Sequence, residues 1–132
     1  MRRFLPLNPD AALLILRVVL GIIMLVHGWP KLSNLGGTIE GFTGMGIPLP
    51  ALSAIFATVV EVGGGILILI GALSDIAGLL FAIDMLGAIT FVHAKKGFSV
   101  SEGGIEFPLA LLAMALAVAL AGSGRYSVKG KA

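Results

Sequence analysis

Arg17, Glu61 and Asp84 each interrupt a long apolar run. An ionised side chain near the centre of a lipid bilayer costs at least about 2.5–3.5 kcal/mol on insertion scales, so such groups turn toward one another or toward water. One guanidinium and two carboxyl groups leave one acid in excess. Two carboxyls sharing a single cation in a low dielectric do not both ionise readily, and one of them is expected to hold a proton near neutral pH. Such a set can handle protons or polarise a substrate. It can equally do no more than lock three helices in register.

A second group of polar residues gathers where the apolar runs end. His27 and Lys31 close the first run. His93 closes the third and is followed by Lys95 and Lys96. Glu106 opens the fourth, with Glu102 just before it. On an ideal helix Arg17, His27 and Lys31 fall within about 80° of arc, which gives one helix a polar stripe. His27, Lys31, His93 and Glu106 are therefore expected to enclose one polar pocket at the membrane surface, with a Lys31–Glu106 pair closing it. Lys95 and Lys96 are read as interfacial anchors whose ammonium groups reach water. His93 lies nine residues after Asp84, about 180° around a regular helix, so the two can serve one pocket only if that helix distorts. Histidine, lysine and carboxyl groups gathered in this way are suited to donating and accepting protons. No pair of histidines has haem or metal-site spacing, so no bound metal is expected. The chain has no cysteine, which removes disulfides and thiol redox chemistry of its own.

The elements that must carry these residues follow from composition. Of 132 residues, 58% are hydrophobic and only 12% charged, too few to give so short a chain a soluble surface, so lipid is the solvent that fits. The net charge of +2 is spread thinly, with no basic stripe for nucleic acid. Four apolar stretches, about residues 11–29, 50–72, 76–93 and 105–121, each approach the roughly 20 residues that cross about 30 Å of hydrocarbon. The fold class is all-α: a single membrane domain forming a four-transmembrane-helix bundle. The N-terminal segment could pass for a signal peptide, but Arg17 interrupts its apolar run and no clean small-x-small site follows, so it is read as a retained first span. Residues 30–49, with five glycines, are expected to form a long loop. Ser74-Asp75 makes a tight turn pairing the second and third spans.

Counted from the cytoplasmic end of each predicted span at about 1.5 Å per residue, Arg17 lies roughly 9 Å deep, Asp84 roughly 12 Å and Glu61 roughly 16 Å, close enough to meet. Ala57, Glu61 and Gly65 recur every four positions, as do Ala113, Ala117 and Ala121, a spacing that lets backbones approach in lipid. The run Gly63-Gly64-Gly65 can serve close packing, local unwinding or access for a ligand, and close packing is the preferred reading. Arg2, Arg3, Arg125, Lys129 and Lys131 lie on one side, against Lys31, Lys95 and Lys96 on the other. That bias places both termini in the cytoplasm. Trp29 and Tyr126 fall at interfaces, where their rings act as anchors.

The order and spacing of several short motifs resemble the DoxX family of small bacterial membrane proteins. They are His27-Gly28-Trp29-Pro30-Lys31, the Glu61-to-Leu67 stretch with its three glycines, His93 followed by Gly97-Phe98, Gly103-Gly104-Ile105-Glu106, and Gly122 through Ser127. The similarity covers about residues 14–127. It implies a four-helix protein of the bacterial cytoplasmic membrane. Relatives are often described as oxidoreductases, some as quinone-linked subunits of thiosulfate oxidation, others as parts of redox-stress or thiol-linked complexes. The wider group also resembles secretory cargo receptors, which are not enzymes.

Two readings follow. In the first the chain is an oxidoreductase component with no covalently bound cofactor. A quinone would enter from lipid and seat its head among the residues named as catalytic, His27, Lys31 and Glu106, with His93, Glu61, Arg17 and Asp84 as further ligand-binding groups. Electrons would come from a soluble or membrane redox subunit. In the second it is a non-enzymatic module: a small-solute or proton-coupled carrier, or a docking subunit. Either reading places the chain in the lipid bilayer without nucleic acid, and the small-residue faces allow a homo-oligomer.

Overall fold

A computed structural model describes residues 3–128; Arg2, Lys129 and Lys131, which contribute to the charge bias, lie outside the described residues. Helix α1 (Pro9–Ser33) begins with Pro9 in its first turn, Asn8 accepting a 3.1 Å bond from Ala11 N–H, and Asp10 beside the dipole's positive end. Proline, an Asn cap and an early acid are what a helix start favours. The helix continues through Pro30 to Ser33, one turn past the expected end at Trp29.

Residues 30–49 are not a loop throughout. Asn34 breaks the chain and its side chain accepts a 3.0 Å bond from Gly37 N–H, starting a second helix, α2 (Leu35–Gly44). Leu35, Ile39 and Phe42 stand at i, i+4 and i+7 on its half-buried face, and that face packs on the third helix. Five glycines hid this stripe, because composition signalled a turn while the spacing of three apolar residues signalled a helix. Helix α3 (Pro50–Ile70) runs unbroken through Gly63-Gly64-Gly65. Helix α4 (Ser74–Ala88) passes into a π-helical turn (Ile89–His93) and a 3-10 turn (Ala94–Lys96). After a 3-10 turn at Val100–Glu102 comes helix α5 (Glu106–Ala121). No strand occurs among the described residues.

The helices pack as two close pairs, α1 with α3 and α4 with α5, joined by a looser α3–α4 contact. Small residues make the close pairs possible. A methyl group at Gly21 would stand 3.0 Å from Gly65 O, and one at Gly65 would stand 3.2 Å from Gly21 O. In the other pair a Cβ at Gly78 would stand 2.7 Å from Ala115 O. The expected stripe Ala113, Ala117, Ala121 is instead exposed. The buried face of α5 is Pro108, Leu111, Ala115 and Val118, because fitting against Gly78 selects Ala115 rather than its neighbours. Leu20, Met24, Ile68, Phe81 and Val118 fill the centre.

The outward faces are apolar. Ile15, Val19, Ile22, Val26, Val59, Ile66 and Leu79 are among the exposed side chains. Three helical stretches, Pro9–Ser33, Pro50–Ile70 and Ser74–Lys96, have the length and hydropathy to cross a membrane, and α5 is a shorter apolar helix. This is a multi-pass membrane bundle. Its ends are distinct. Arg125 N–H donates to Asp10 Oδ1 at 2.9 Å, Ser123 Oγ bonds Ser74 Oγ at 2.8 Å, and Val128 N–H donates to Ile70 O at 2.9 Å. The start of α1, the α3–α4 turn and the C-terminal segment therefore share one end, here the turn end. The α2 segment and residues 97–105 form the opposite, loop end.

Candidate functional site

Glu61 is buried in α3, and Lys31 reaches back from the last turn of α1 to place its ammonium 2.8 Å from Glu61 Oε1. The same ammonium donates to His27 O at 3.0 Å. Close approach of the two helices makes this reach possible: a Cβ on Gly28 would stand 2.8 Å from Glu61 Cβ. Asp84, on α4, brings its carboxyl against that of Glu61 and within the field of Lys31. Asp84 Oδ2 is buried and receives no hydrogen bond from the described residues. The polar cluster is thus Lys31, Glu61 and Asp84, with Glu61 buried and the other two partly so.

Arg17 does not belong to it. Its Nη1 donates to Ile68 O at 3.2 Å and Leu69 O at 3.3 Å, and its Nη2 donates to Tyr126 O. The two α3 carbonyls are part of that helix's last turn, which has no helical partner for them. The carbonyls of that turn are all accounted for, although Arg17 Nε is buried without a partner among the described residues. Leu67 O accepts from Gly71 and Ala72, Arg17 takes the next two, and Val128 N–H takes Ile70 O. The expected Arg17–Glu61–Asp84 triad fails because the spans do not start flush. Arg17 lies level with Ile68 and Leu69, seven or eight residues and so about 10–12 Å along the axis from Glu61.

The cluster forms part of the wall of a cavity of about 750 Å³ between the α1–α3 and α4–α5 pairs at the loop end. His27, Lys31, Glu61, Asp84 and His93 line it, and nearly all the remaining lining is apolar, including Phe42 and Met45 from the α2 region. His27 stacks at a tilt on Phe107, ring centroids 5.8 Å apart, bridging α1 and α5 across the cavity mouth. His93 and Asp84 do share the cavity, and the distortion this requires is the π turn at Ile89–His93, which under-winds the end of α4. His93 Nδ1 bonds Gly103 O, tying the π turn to the loop.

Glu106 is placed otherwise than expected. Its Oε1 accepts from Val100 N–H at 2.9 Å, and its side chain is outside the cavity lining. It pins residues 97–105 against the start of α5, where Val100, Gly103 and Gly104 form part of the rim. The Lys31–Glu106 pair is absent because Lys31 is taken up by Glu61, the acid that the Gly28 contact brings nearer. Of the seven candidates, five line one cavity, Arg17 caps a helix at the other end, and Glu106 holds a loop. Sequence reasoning missed Phe107 and Gly28. The first adjoins Glu106 and the second sits between His27 and Lys31, so both were within the motifs that drew attention.

A lysine–carboxyl cluster beside an apolar cavity in a bundle of long apolar helices defines the class of protein: a multi-pass membrane protein. The chain belongs to the DoxX family, which matches residues 12–94, from α1 to the π turn. It is 40% identical over 110 residues to CatD of Bacillus subtilis, named as a candidate oxidoreductase, covering 83% of this chain and 78% of that one. It is 36% identical over 81 residues to the inner membrane protein YphA of Escherichia coli, covering 61% and 58% respectively. To the inner membrane protein YqjF of Escherichia coli it is 29% identical over 120 residues, 90% of each chain. No solved structure matches it.

Proposed function

We propose that this protein is the quinone-binding component of an oxidoreductase in the bacterial inner membrane, working with a separate redox subunit. The observation that carries the reading is the distribution of polarity in the cavity. Its charged groups are confined to one cluster, Lys31, Glu61 and Asp84, with His27 and His93 nearby, and nearly all the rest is apolar. A ligand with a compact hydrogen-bonding head and an apolar body fits such a site. Asp84 Oδ2, without a partner among the described residues, is available to that head. The names of the relatives CatD and YphA support redox chemistry and an inner membrane location respectively.

A quinone becomes a quinol by taking two electrons and two protons. The chain's own residues supply the proton side. Two carboxyls and one ammonium in a low dielectric balance when the carboxyl pair holds a single proton, and this proton lies at the cavity wall. Lys31 keeps Glu61 oriented through its 2.8 Å bond and limits the cost of moving charge when the proton leaves. His27, exposed at the cavity mouth, and His93 relay protons from water. Electrons come from a reduced partner subunit.

The test is quinone content and quinone-dependent turnover of the purified protein in lipid, with its partner complex if one co-purifies. Asp84→Asn and Glu61→Gln should each remove turnover while the protein stays folded. A preparation without quinone, together with full physiological activity in both variants, would sink the reading and leave the docking module in its place.

A further inference from the structure

The cavity has a side wall that lipid can reach. On α3, Leu52 and Phe56 line it and keep a third or more of their surface exposed; on α4 and the π turn, Ile83 and Phe91 do the same. A residue that faces both the cavity and the outside marks an opening. The opening lies between α3 and α4, the helices joined by a short turn at one end and packed more loosely than either close pair. It lies within the membrane. Ile83 is nine residues past the start of α4, about 13–14 Å from the turn end, and Phe56 is about 21 Å from it along α3, both inside roughly 30 Å of hydrocarbon. The edges named are all apolar, whereas the polar cluster lies inward of them on Glu61 and Asp84.

Gly87 stands in the same opening. It lines the cavity, and a Cβ built on it meets no atom within 4 Å. A helix in lipid gains nothing from glycine for its own stability, and here the missing side chain leaves the passage wide. No close helix packing explains it, in contrast to Gly21, Gly65 and Gly78.

We propose that the α3–α4 opening is the tail passage of this site. The ligand is an amphiphile with a long alkyl or isoprenoid chain, which enters sideways from the bilayer, turns its head to Glu61 and Asp84, and leaves its tail between Phe56 and Ile83. This rests on the quinone reading for the head and adds the tail and its route. The passage is continuous with the cavity and open at hydrocarbon depth, and this is why a lipid-soluble tail occupies it rather than a water-borne solute. The tail gains little from contact, since lipid is as apolar as the passage. Its benefit is access, because the membrane concentrates the ligand at the opening.

The experiment uses the full chain in phospholipid nanodiscs, a benzoquinone with a decyl tail and the same head without a tail. Binding is read by quenching of Trp29, the one tryptophan of the chain. Gly87→Phe adds a bulky side chain at the opening, starting from a Cβ that meets no atom within 4 Å. It should weaken the decyl probe about tenfold or more and leave the tailless probe, which enters from the loop end, within about twofold. Equal binding of the decyl probe to both proteins overturns the passage while the quinone reading stands. If neither probe binds the natural protein, the quinone reading falls. The passage is then judged by a phospholipid with a photoactivatable diazirine in its acyl chain: labelling near Phe56 or Phe91 that Gly87→Phe abolishes supports it, and absence of labelling overturns it. High-yield disulfide dimers of Gly87→Cys in lipid would show a second copy covering the opening and would also overturn it.

Discussion

Lys31 and Glu61 meet at 2.8 Å although thirty residues separate them, and the lysine reaches its partner by folding back along its own helix. The glutamate is almost wholly buried while the lysine keeps about a quarter of its side chain exposed. The pair therefore lies between the surface limit, near zero, and the buried limit of about 3–5 kcal/mol for losing one partner. Lys31→Met should destabilise the bundle by about 2 kcal/mol, read as a lower midpoint of thermal unfolding in detergent. The double variant Lys31→Met, Glu61→Gln should recover part of that loss, because no buried charge is left alone. Additive losses would mean that the two residues do not depend on each other.

Arg17 makes a different prediction from the one its type suggests. An arginine that neutralised Glu61 or Asp84 would affect ligand binding when removed. An arginine that caps α3 and holds Tyr126 O should affect the turn end alone. Arg17→Leu is expected to cost about 3 kcal/mol, the upper range for hydrogen bonds to a charged group, and to expose the segment around Arg125 to protease. Affinity for a quinone head should stay within about twofold in whatever folded fraction remains, since the site is about 10–12 Å away along the helices. A large affinity loss with an uncut C-terminal segment would contradict this assignment.

The glycines separate by position. A Cβ on Gly63 would meet no atom within 4 Å, so Gly63→Ala should be neutral or stabilising by up to about 1 kcal/mol through helix propensity. Gly28→Ala would bring a methyl within 2.9 Å of Val62 N and 2.8 Å of Glu61 Cβ. Part of that clash is with backbone, which cannot turn aside. It should cost about 1–3 kcal/mol and loosen the Lys31–Glu61 pair. Equal thermal midpoints for the two variants would argue against the α1–α3 contact as described.

How much of this was legible in the sequence depended on the partner each residue found. Spans were readable because bilayer thickness fixes their length, and the bundle class followed. Glu61, Asp84, His27 and Lys31 were readable as inward-facing because charge in lipid has few other places to go. Arg17 was misassigned because its acceptors are main-chain carbonyls, which every residue has and no residue type announces. Glu106 was misassigned for the same reason, its partner being Val100 N–H. Helix α2 was hidden by its glycines. The π turn was anticipated only as a requirement: the angle between Asp84 and His93 demanded some distortion, and no residue of Ile89–His93 advertised which.

Glu106→Gln follows from that correction. The amide oxygen of glutamine can still accept from Val100 N–H, so the loop should stay in place and stability should fall by no more than about 1 kcal/mol. Quinone-linked turnover should be kept. Glu106→Ala, which removes the acceptor, should loosen residues 97–105 and be visible as faster amide exchange at Val100. Loss of turnover in the glutamine variant at normal abundance would return Glu106 to the site.

Asp84 and Glu61 lie side by side, yet they should respond differently to the same change. Glu61 holds Lys31, whereas Asp84 holds no base of its own and has an oxygen without a donor. Glu61→Gln removes the partner of a largely buried ammonium, which then sits uncompensated beside Asp84 or must draw on it instead. Asp84→Asn removes one acid from a cluster already in excess of acid, and the amide can donate to Glu61. Asp84→Asn should therefore leave the thermal midpoint unchanged or raise it, and Glu61→Gln should lower it by about 1–3 kcal/mol equivalent. Both should abolish proton-coupled turnover, because neither variant retains two carboxyls to share a proton. Stability and activity then separate in one residue and fall together in its neighbour. If Asp84→Asn unfolds the protein, or if both variants lose stability alike, the two carboxyls act as one structural unit and the proton assignment fails.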